Sequence, residues 1–433
     1  MATYNPAFVS AFERRTHPGA SLLSYSLGFL IPLVVGVYWL IYAVDNDLAI
    51  AILRPAVLGA AIVLGLVWSR LALTWAEMCL AGILGMICLV LLIPSLTATI
   101  PARALTDCVK LALLCALSLL VCRALRHEAT ARAFGQSLIL GGIVGAGLII
   151  YTYARLVGFA MPTYESVRVF KGVAIRADIP LNSVAFASVF SYICGMCLLR
   201  GNRLLWLLGI VLFPVASVLT GSRAPIALLL ASGLSLLFVN GIVSRLLLAR
   251  VLTWTVIVGV AAVTIPASRS LTFKDMSIAT EGRWDLWWIA LQKFEERPLT
   301  GYGFDSWNDD IVSRLPGEYV IPSTVATNFA GGYHSEYLAL LAEQGLIGFI
   351  PVMTLFAFLL RCSWLLALGR PAIFRNGQWA LFGCLFLLLR AGIEAPGLFG
   401  YGSEPADYLA FFFLAIVVSR FSVEEDYLRG SRP

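Results

Sequence analysis

The sequence predicts an all-α, polytopic membrane protein that forms a single integral membrane domain over residues 1–433. Its 433 residues are 60% hydrophobic and only 13% charged, whereas a soluble globular domain carries roughly 25% charged residues. Apolar runs long enough to cross a bilayer recur along the chain, and they predict about twelve transmembrane helices. Basic residues concentrate in alternate turns between these runs, as in proteins that cross a membrane repeatedly.

The predicted transmembrane helices are apolar runs of about 17–25 residues, the length that spans a bilayer. One long polar loop, residues 268–337, interrupts them, and it is predicted to carry much of the functional site. The predicted spans are residues 22–44, 48–68, 73–95, 105–125, 132–154, 179–199, 203–220, 224–244, 250–267, 338–361, 376–393 and 405–420.

The distribution of basic residues predicts that both termini lie in the cytoplasm. With the N-terminus inside, every short cytoplasmic turn is basic, as the positive-inside rule requires. The first outer turn, residues 45–47, is acidic, and an even number of spans returns the C-terminus to the cytoplasm. The net charge of +6 therefore follows from topology and does not indicate a nucleic-acid partner. The inner basic residues are Arg70, Arg123, Arg126, Arg132, Arg200, Arg203, Arg245, Arg250, Arg361, Arg370, Arg375, Arg420, Arg429 and Arg432.

A second group of basic residues lies on the predicted outer side, against the topological rule. Late helices tolerate outer positive charge, because early helices fix the orientation, and this is one explanation. The other explanation, which we favour, is an anion-binding site at the outer surface, since several of these residues stand at helix ends. The residues are Arg155, Arg168, Lys171, Arg176, Arg223, Lys274, Arg283, Lys293, Arg297 and Arg314.

His334 is the one histidine on the predicted outer side, and it immediately precedes the helix predicted to begin at Glu336. Histidine is the side chain best suited to general-base catalysis near neutral pH. A loop histidine with a purely structural hydrogen bond is an equally plausible interpretation on sequence alone.

Arg223 and Arg283 are the two arginines whose sequence surroundings favour an anion site. Arg223 lies in a turn before a helix that begins at the outer surface, where the helix dipole is positive. Arg283 begins a short amphipathic segment that is predicted to lie in the membrane interface and to end at Pro298 and the Gly301–Gly303 turn. Its apolar face holds Trp284, Trp287, Trp288 and Leu291, and its opposite face holds Asp285, Gln292, Lys293 and Glu296.

Three further features, namely two acidic clusters, an arginine–glutamate pair and a pair of glycines, are possible functional or structural motifs. Two acidic clusters, residues 45–47 and 308–310, could bind a divalent metal, but acidic outer turns also follow from topology, so no metal site is predicted. Arg390 and Glu394 are four residues apart in the eleventh span, where an ion pair is a functional candidate or closes the outer end of the bundle. The Gly141–Gly145 spacing predicts close helix packing.

Three ordered stretches resemble the O-antigen ligase and polymerase superfamily. They are residues 219–224 (LTGSRA), residues 281–288 (EGRWDLWW) with 298–303 (PLTGYG), and residues 334–338 (HSEYL) with 343–345 (EQG). The resemblance covers roughly residues 176–350. The conserved family arginines fall on Arg223 and Arg283, and the family histidine falls on His334; Ser335 stands where the family usually has asparagine.

The resemblance implies a glycosyltransferase of the bacterial inner membrane with a GT-C-like fold and a periplasmic active site. Its ligase branch transfers a glycan from undecaprenyl pyrophosphate to a sugar of the lipid A-core, with inversion and without metal or cofactor. The implied partners are this lipid-linked donor, the lipid A-core acceptor and membrane lipids, with no nucleic acid. By the same resemblance, His334, Arg223 and Arg283 are candidate catalytic residues. Further candidates for substrate binding are Arg168, Lys171, Arg176, Arg297, Trp284, Tyr302 and Glu336.

The chemistry of such a transfer matches these residue types. A pyrophosphate is a good leaving group that needs positive charge where negative charge develops, and arginines supply it. The acceptor hydroxyl is a weak nucleophile, so a base must take its proton during attack, and His334 is suited to that role.

Three alternatives remain open from the sequence. An O-antigen polymerase and an O-linking protein oligosaccharyltransferase belong to the same superfamily. Protein-modifying relatives often carry further C-terminal sequence, which favours the lipopolysaccharide ligase here. A transporter of a lipid-linked anion is an alternative of another class. It predicts charges deep in the spans and paired broken helices at the midplane, whereas here the charges cluster at one face, apart from Arg54, Arg390 and Glu394.

Overall fold

The fold is known from a computed structural model, which describes residues 28–29, 73–96, 98, 101–158, 181–199, 203–220, 283–303, 306, 333–368, 377–393 and 405–430. All regular secondary structure in these ranges is α-helical, apart from a short 3₁₀ turn at Ser306. The helices are α1 (Trp75–Leu96), α2 (Pro101–Ala124), α3 (Glu128–Val157), α4 (Leu181–Leu198), α5 (Arg203–Leu219), α6 (Arg283–Glu296), α7 (Glu336–Leu368), α8 (Gly377–Ile393) and α9 (Pro405–Gly430).

Eight of these helices coincide with predicted membrane spans, and α6 coincides with the predicted amphipathic segment. Within the described residues, four helices are long and apolar enough to cross a membrane: Trp75–Leu96, Ala104–Ala124, Glu128–Val157 and Glu336–Leu368. The prediction of a polytopic all-α membrane protein is confirmed. The spans predicted at 48–68, 224–244 and 250–267, and all but residues 28–29 of 22–44, lie outside the described residues. The total of about twelve stays a prediction.

The turns that the sequence assigns to the cytoplasm lie at one end of the bundle. We call it the opposite end, because the residues around His334 lie at the other end. Thr74 and Glu77 form a reciprocal cap at the start of α1, with hydrogen bonds of 2.8 and 3.2 Å. The guanidinium of Arg126 lies 3.5 Å from the same Glu77 carboxylate. Arg420 of α9 pairs with Glu128 at 3.2 Å and donates to the Leu198 carbonyl at 3.3 Å. Polar contacts thus hold α1, α3, α4 and α9 together at this end.

The other end, which we call the site end, collects the residues around His334. The Tyr337 hydroxyl of α7 donates to the Leu388 carbonyl of α8 at 2.8 Å. Gly303 packs so closely on the end of α1 that an added Cβ would lie 2.2 Å from the Cβ of Ala98. Helices α1, α7 and α8 therefore bring the segment after α6 and the start of α7 to one end of the bundle.

The core is packed by aromatic rings and by small residues. Helix α9 is buried on all sides from Leu409 to Val418, as expected for a helix at the centre of a bundle. The rings of Phe186, Phe190 and Phe386 stack with centroids 5.3–6.0 Å apart. Helices α3 and α4 approach closely at Gly142 and Gly145, where an added Cβ would lie 2.7 Å from the Ser188 carbonyl oxygen and 2.2 Å from the Ser188 hydroxyl oxygen, respectively. The packing role predicted for the Gly141–Gly145 segment is therefore confirmed.

Candidate functional site

Helix α6 lies against the beginning of α7. Ile289 and Ala290 of α6 form a small buried cluster with Tyr333 and Ala342, at 0–1% exposure. Further along the chain, residues 298–303 pair with residues 342–347. This order of contacts means that α6 and α7 run side by side in the same direction, so that both begin at the same end of the pair. Arg283, the first residue of α6, therefore lies toward the end of the pair at which His334 precedes α7.

A break in α7 provides the contact between residues 298–303 and 342–347, which we call the backbone clamp. Gly345 has φ 59° and ψ −166°, so two α-helical hydrogen bonds around it, from 346 to 342 and from 347 to 343, are not made. The 298–303 segment replaces both bonds. The Tyr302 and Gly303 amides donate to the carbonyls of Ala342 and Glu343, at 3.1 and 2.7 Å, respectively. The amides of Leu346 and Ile347 donate to the carbonyls of Pro298 and Leu299, at 2.8 and 3.1 Å.

The clamp requires a glycine in each of its two segments, 298–303 and 342–347. A Cβ on Gly345 would lie 2.4 Å from the carbonyl carbon of Leu299, and a Cβ on Gly301 would lie 2.3 Å from that of Glu343. Both glycines also have positive φ, 59° and 64°, where other residues are strained. Four backbone groups beside the break, the carbonyls of 342 and 343 and the amides of 346 and 347, are thus hydrogen-bonded by the 298–303 segment, which fixes α6 to α7.

His334 adopts a left-handed backbone conformation with φ 49°. Such a conformation is uncommon for residues other than glycine and persists where the surroundings hold it in place. On one side, Tyr333 is 1% exposed in the cluster with α6. On the other side, Ser335 is buried and caps α7, with its hydroxyl 3.5 Å from the Leu338 amide and its carbonyl accepting from the Ala339 amide at 2.9 Å. His334 itself is half-buried between these two anchors.

The N-cap position of Ser335 gives a physical reason for its difference from the family. Serine and asparagine are both strongly preferred N-cap residues, because their side-chain oxygens accept bonds from the free amides of the first helical turn. Serine at this position therefore preserves the cap that places His334 immediately before α7. Glu336 follows as the first helical residue, and it is 4% exposed at the positive end of the helix dipole.

Arg297 and Tyr302, two predicted substrate-binding residues, contact each other at the end of α6. The guanidinium carbon of Arg297 lies 4.4 Å from the centroid of the Tyr302 ring, and the Lys293 ammonium lies 5.5 Å from it. The Tyr302 hydroxyl donates to the Glu296 carboxylate. This ring therefore lies next to two cations and hydrogen-bonds an anion, and it connects α6 to the backbone clamp.

The sequence predicted that Lys293 lies on the polar face of α6, opposite the tryptophans and turned away from the apolar contacts. This prediction is wrong. Lys293 is 0% exposed, and its ammonium donates to the carbonyl of Ser306. It shares the buried stripe of α6 with Leu286, Ile289 and Ala290, at the spacing of one helical face. That spacing was the available signal, but the sequence does not reveal the Ser306 carbonyl that accepts a hydrogen bond from the buried ammonium. Trp288 and Leu291 instead point outward, at 40% and 42% exposure, and Trp287 is half-buried.

The structure describes only part of the predicted site. It places His334, Glu336, Arg297 and Tyr302 with their side chains, and it places Arg283 and Trp284 as the first backbone residues of α6. The segments 45–47 and 308–310, which could bind a metal, and Glu394 lie outside the described residues. So do four predicted cations of the site, namely Arg168, Lys171, Arg176 and Arg223.

Comparison with known protein families finds a match that covers the backbone clamp and the residues around it. The O-antigen ligase family model matches residues 208–353. The match confirms the resemblance to the O-antigen ligase and polymerase superfamily, and it spans about a third of the chain. The matched segment includes Arg223, Arg283, His334 and both halves of the backbone clamp. The comparison with curated proteins found no match.

The family match defines the class of protein but not its branch. Ligases and polymerases of this family are glycosyltransferase-like enzymes, and the family indicates lipid-linked polysaccharide substrates. Together with the long apolar helices, the match identifies an integral membrane protein.

Proposed function

We propose that this chain is an O-antigen ligase of the bacterial inner membrane. It transfers an O-antigen polysaccharide from undecaprenyl pyrophosphate to a sugar hydroxyl of the lipid A-core. The site end of the bundle faces the periplasm, and both termini lie in the cytoplasm. The opposite end then carries Arg126, Arg132 and Arg420, in agreement with the positive-inside rule.

The observation that carries the proposal is the side-by-side packing of α6 and α7 inside the family-matched segment. Tyr333, next to His334, packs on Ile289 and Ala290, which lie six and seven residues from Arg283. At 1.5 Å per helical residue this separation is about 9–10 Å along the helix axis. A sugar and a pyrophosphate together extend over a comparable distance, so one substrate can contact both ends of this arrangement.

In this mechanism the arginines act on the donor and the histidine acts on the acceptor. The guanidinium groups of Arg223 and Arg283 bind the pyrophosphate and stabilise the charge that develops as the anomeric C–O bond breaks. His334 accepts the proton of the acceptor hydroxyl as its oxygen bonds to the anomeric carbon from the opposite face. The products are the glycosylated core with inverted configuration, undecaprenyl pyrophosphate and a protonated His334.

A deletion strain separates the ligase from the polymerase. Loss of a ligase leaves short lipopolysaccharide while long O-antigen polymer still accumulates on the polyprenyl carrier. Loss of a polymerase instead leaves a single repeat unit attached to the core. Gel analysis of lipopolysaccharide, together with analysis of the lipid-linked pool, distinguishes these outcomes, and normal long lipopolysaccharide in the deletion strain would contradict both.

A further inference from the structure

Arg390 of α8 is a buried cation to which the proposed mechanism gives no role. It is 5% exposed, and its guanidinium carbon lies 3.7 Å from the centroid of the Phe186 ring. Its predicted partner Glu394 lies outside the described residues. Within the ranges that the structure describes, neither an ion pair nor a hydrogen bond joins this guanidinium to another group.

A buried guanidinium requires more compensation than one aromatic ring supplies. Removing a charge from water is costly unless the charge is paired and hydrogen-bonded, and such residues in membrane proteins mark ligand or ion sites. The face of Phe186 provides a cation–π contact. A guanidinium carries five N–H donors, however, and a contact with one ring face cannot hydrogen-bond all of them.

The position of Arg390 is at the site end, between α8 and α4. Residues 388 and 392 of α8 face Tyr337 of α7: the Leu388 carbonyl accepts a 2.8 Å hydrogen bond from its hydroxyl, and a Cβ added at Gly392 would lie 3.7 Å from the tyrosine ring. Arg390 points the other way, toward Phe186 in the second turn of α4. The N-terminus of α4 adds a partial positive charge on the same side. The sequence between α3 and α4, which lies outside the described residues, contains Arg168, Lys171 and Arg176.

We propose that Arg390 binds a phosphate group of the polyprenyl-pyrophosphate donor at the site end of α4 and α8. This inference rests on the proposed function. Phe186 lies five residues beyond the start of α4, about 7–8 Å along the helix axis, which is the depth of lipid headgroups if α4 begins at the membrane surface. A planar guanidinium held against a ring presents two parallel donors to phosphate oxygens, a geometry that lysine does not provide.

Binding of undecaprenyl pyrophosphate without glycan tests the proposal directly. Its affinity for the purified protein is measured in detergent micelles, with undecaprenol as the uncharged reference. Loss of charge-assisted hydrogen bonds predicts binding about 10- to 100-fold weaker for Arg390→Met. Arg390→Lys is expected to fall between Arg390→Met and the wild type, and undecaprenol binding should be the same in all three. Pyrophosphate-lipid binding to Arg390→Met at the wild-type affinity would overturn the proposal.

Arg420→Met is the matched control, because Arg420 is a buried arginine of similar exposure, 7%, at the opposite end. Its guanidinium is satisfied by Glu128 and the Leu198 carbonyl, so its replacement should leave affinity for undecaprenyl pyrophosphate unchanged. Equal weakening by Arg420→Met and Arg390→Met would overturn the proposal. The same measurement is repeated with phosphatidylglycerol. If Arg390→Met loses affinity equally for both lipids, Arg390 binds the headgroups of membrane phospholipids instead of the donor, and the proposal is overturned.

Thermal unfolding without added ligand separates binding from structure. Because the described residues provide no counter-ion for Arg390, we expect Arg390→Met to be as stable as the wild type or more stable. Failure of both Arg390→Met and Arg390→Lys to fold would overturn the proposal by assigning the guanidinium a structural role. Transfer to the lipid A-core is measured separately. Wild-type protein that shows the predicted binding pattern but no transfer would contradict the ligase function and leave this inference standing.

Discussion

Gly301 and Gly345 each lie against the backbone of the segment that contains the other. A Cβ on Gly301 would be 2.3 Å from Glu343, and a Cβ on Gly345 would be 2.4 Å from Leu299. Their reciprocal contact allows the 298–303 segment to replace two missing hydrogen bonds of α7. Because α6 ends just before this segment, the clamp determines where Arg283 and His334 lie relative to each other.

Gly345→Ala should therefore open the clamp and lower transfer activity. The substitution forces on alanine a backbone conformation, φ 59° and ψ −166°, that is essentially restricted to glycine; this costs about 1–3 kcal/mol, and the added Cβ clashes with Leu299. We expect a lower melting temperature and a larger fractional loss of transfer than of folded protein. Both are measured on detergent-purified enzyme by thermal unfolding and by a glycan-transfer assay.

Gly85→Ala is the control for that experiment. Gly85 lies within α1, and a Cβ placed there meets nothing within 4 Å. Alanine is favoured over glycine inside a helix by about 1 kcal/mol, so this variant should be as stable as the wild type or slightly more stable. Equal effects of the two substitutions would contradict the role assigned to the clamp.

The sequence predicted the helices well because membrane spans and amphipathic periodicity are local patterns. Residues 73–95 and 376–393, for example, coincide with α1 and α8 to within about two residues. The break at Gly345 was not predictable, because glycine is common in transmembrane helices and its compensation comes from a segment some 45 residues away. The burial of Lys293 depends in the same way on a distant carbonyl. The ion pair between Arg390 and Glu394 stays a prediction, because Glu394 lies outside the described residues, and the described contact of Arg390 with Phe186 could not be predicted from the sequence.

The predicted topology is tested by labelling with a membrane-impermeant thiol reagent. The variants are Arg126→Cys, Arg245→Cys and Asn308→Cys, each in a background from which the native cysteines have been removed. Positive-inside orientation predicts that only the cysteine at position 308 reacts in intact spheroplasts, and that all three react after permeabilisation. Labelling of positions 126 and 245 in intact spheroplasts would contradict the topology.

Chelation should leave transfer activity unchanged. In the proposed mechanism, arginine side chains supply the positive charge that a divalent cation supplies in other glycosyltransferases. The purified enzyme is assayed with and without EDTA, and then with added Mg²⁺ or Mn²⁺. Activity that disappears on chelation and returns with metal would instead assign a catalytic role to Asp45 and Asp47.

Stability should fall as the pH is lowered below about 6.5, partly because of His127 in the turn between α2 and α3. Burial, together with the nearby Arg126, lowers the pKa of His127 from 6.5 to about 4. Between these values the unfolded chain binds a proton that the folded protein does not, so acid favours unfolding. His127→Gln removes this difference and should lose less melting temperature than the wild type between pH 7 and 5. Identical pH profiles would contradict this assignment.

Arg283→Lys tests whether the planar fork of the guanidinium matters for the donor. Lysine keeps the positive charge but cannot form two parallel hydrogen bonds with a phosphate. We therefore expect strongly reduced transfer and weaker binding of the undecaprenyl-pyrophosphate donor, and a similar result for Arg223→Ala. Arg132→Gln, an exposed arginine at the opposite end, is the matched control and should bind donor normally. Normal donor binding by both site variants would contradict the role of these arginines.

The central claim is that the arginines bind the donor pyrophosphate while His334 accepts the proton of the acceptor hydroxyl. Single-turnover transfer by His334→Ala tests it most directly. The rate is measured from a synthetic undecaprenyl-pyrophosphate-linked glycan to purified lipid A-core, with donor affinity measured on the same preparation. Loss of a general base predicts a rate about 10²–10⁴-fold lower with unchanged donor affinity. Transfer at the wild-type rate by folded His334→Ala protein would contradict the account.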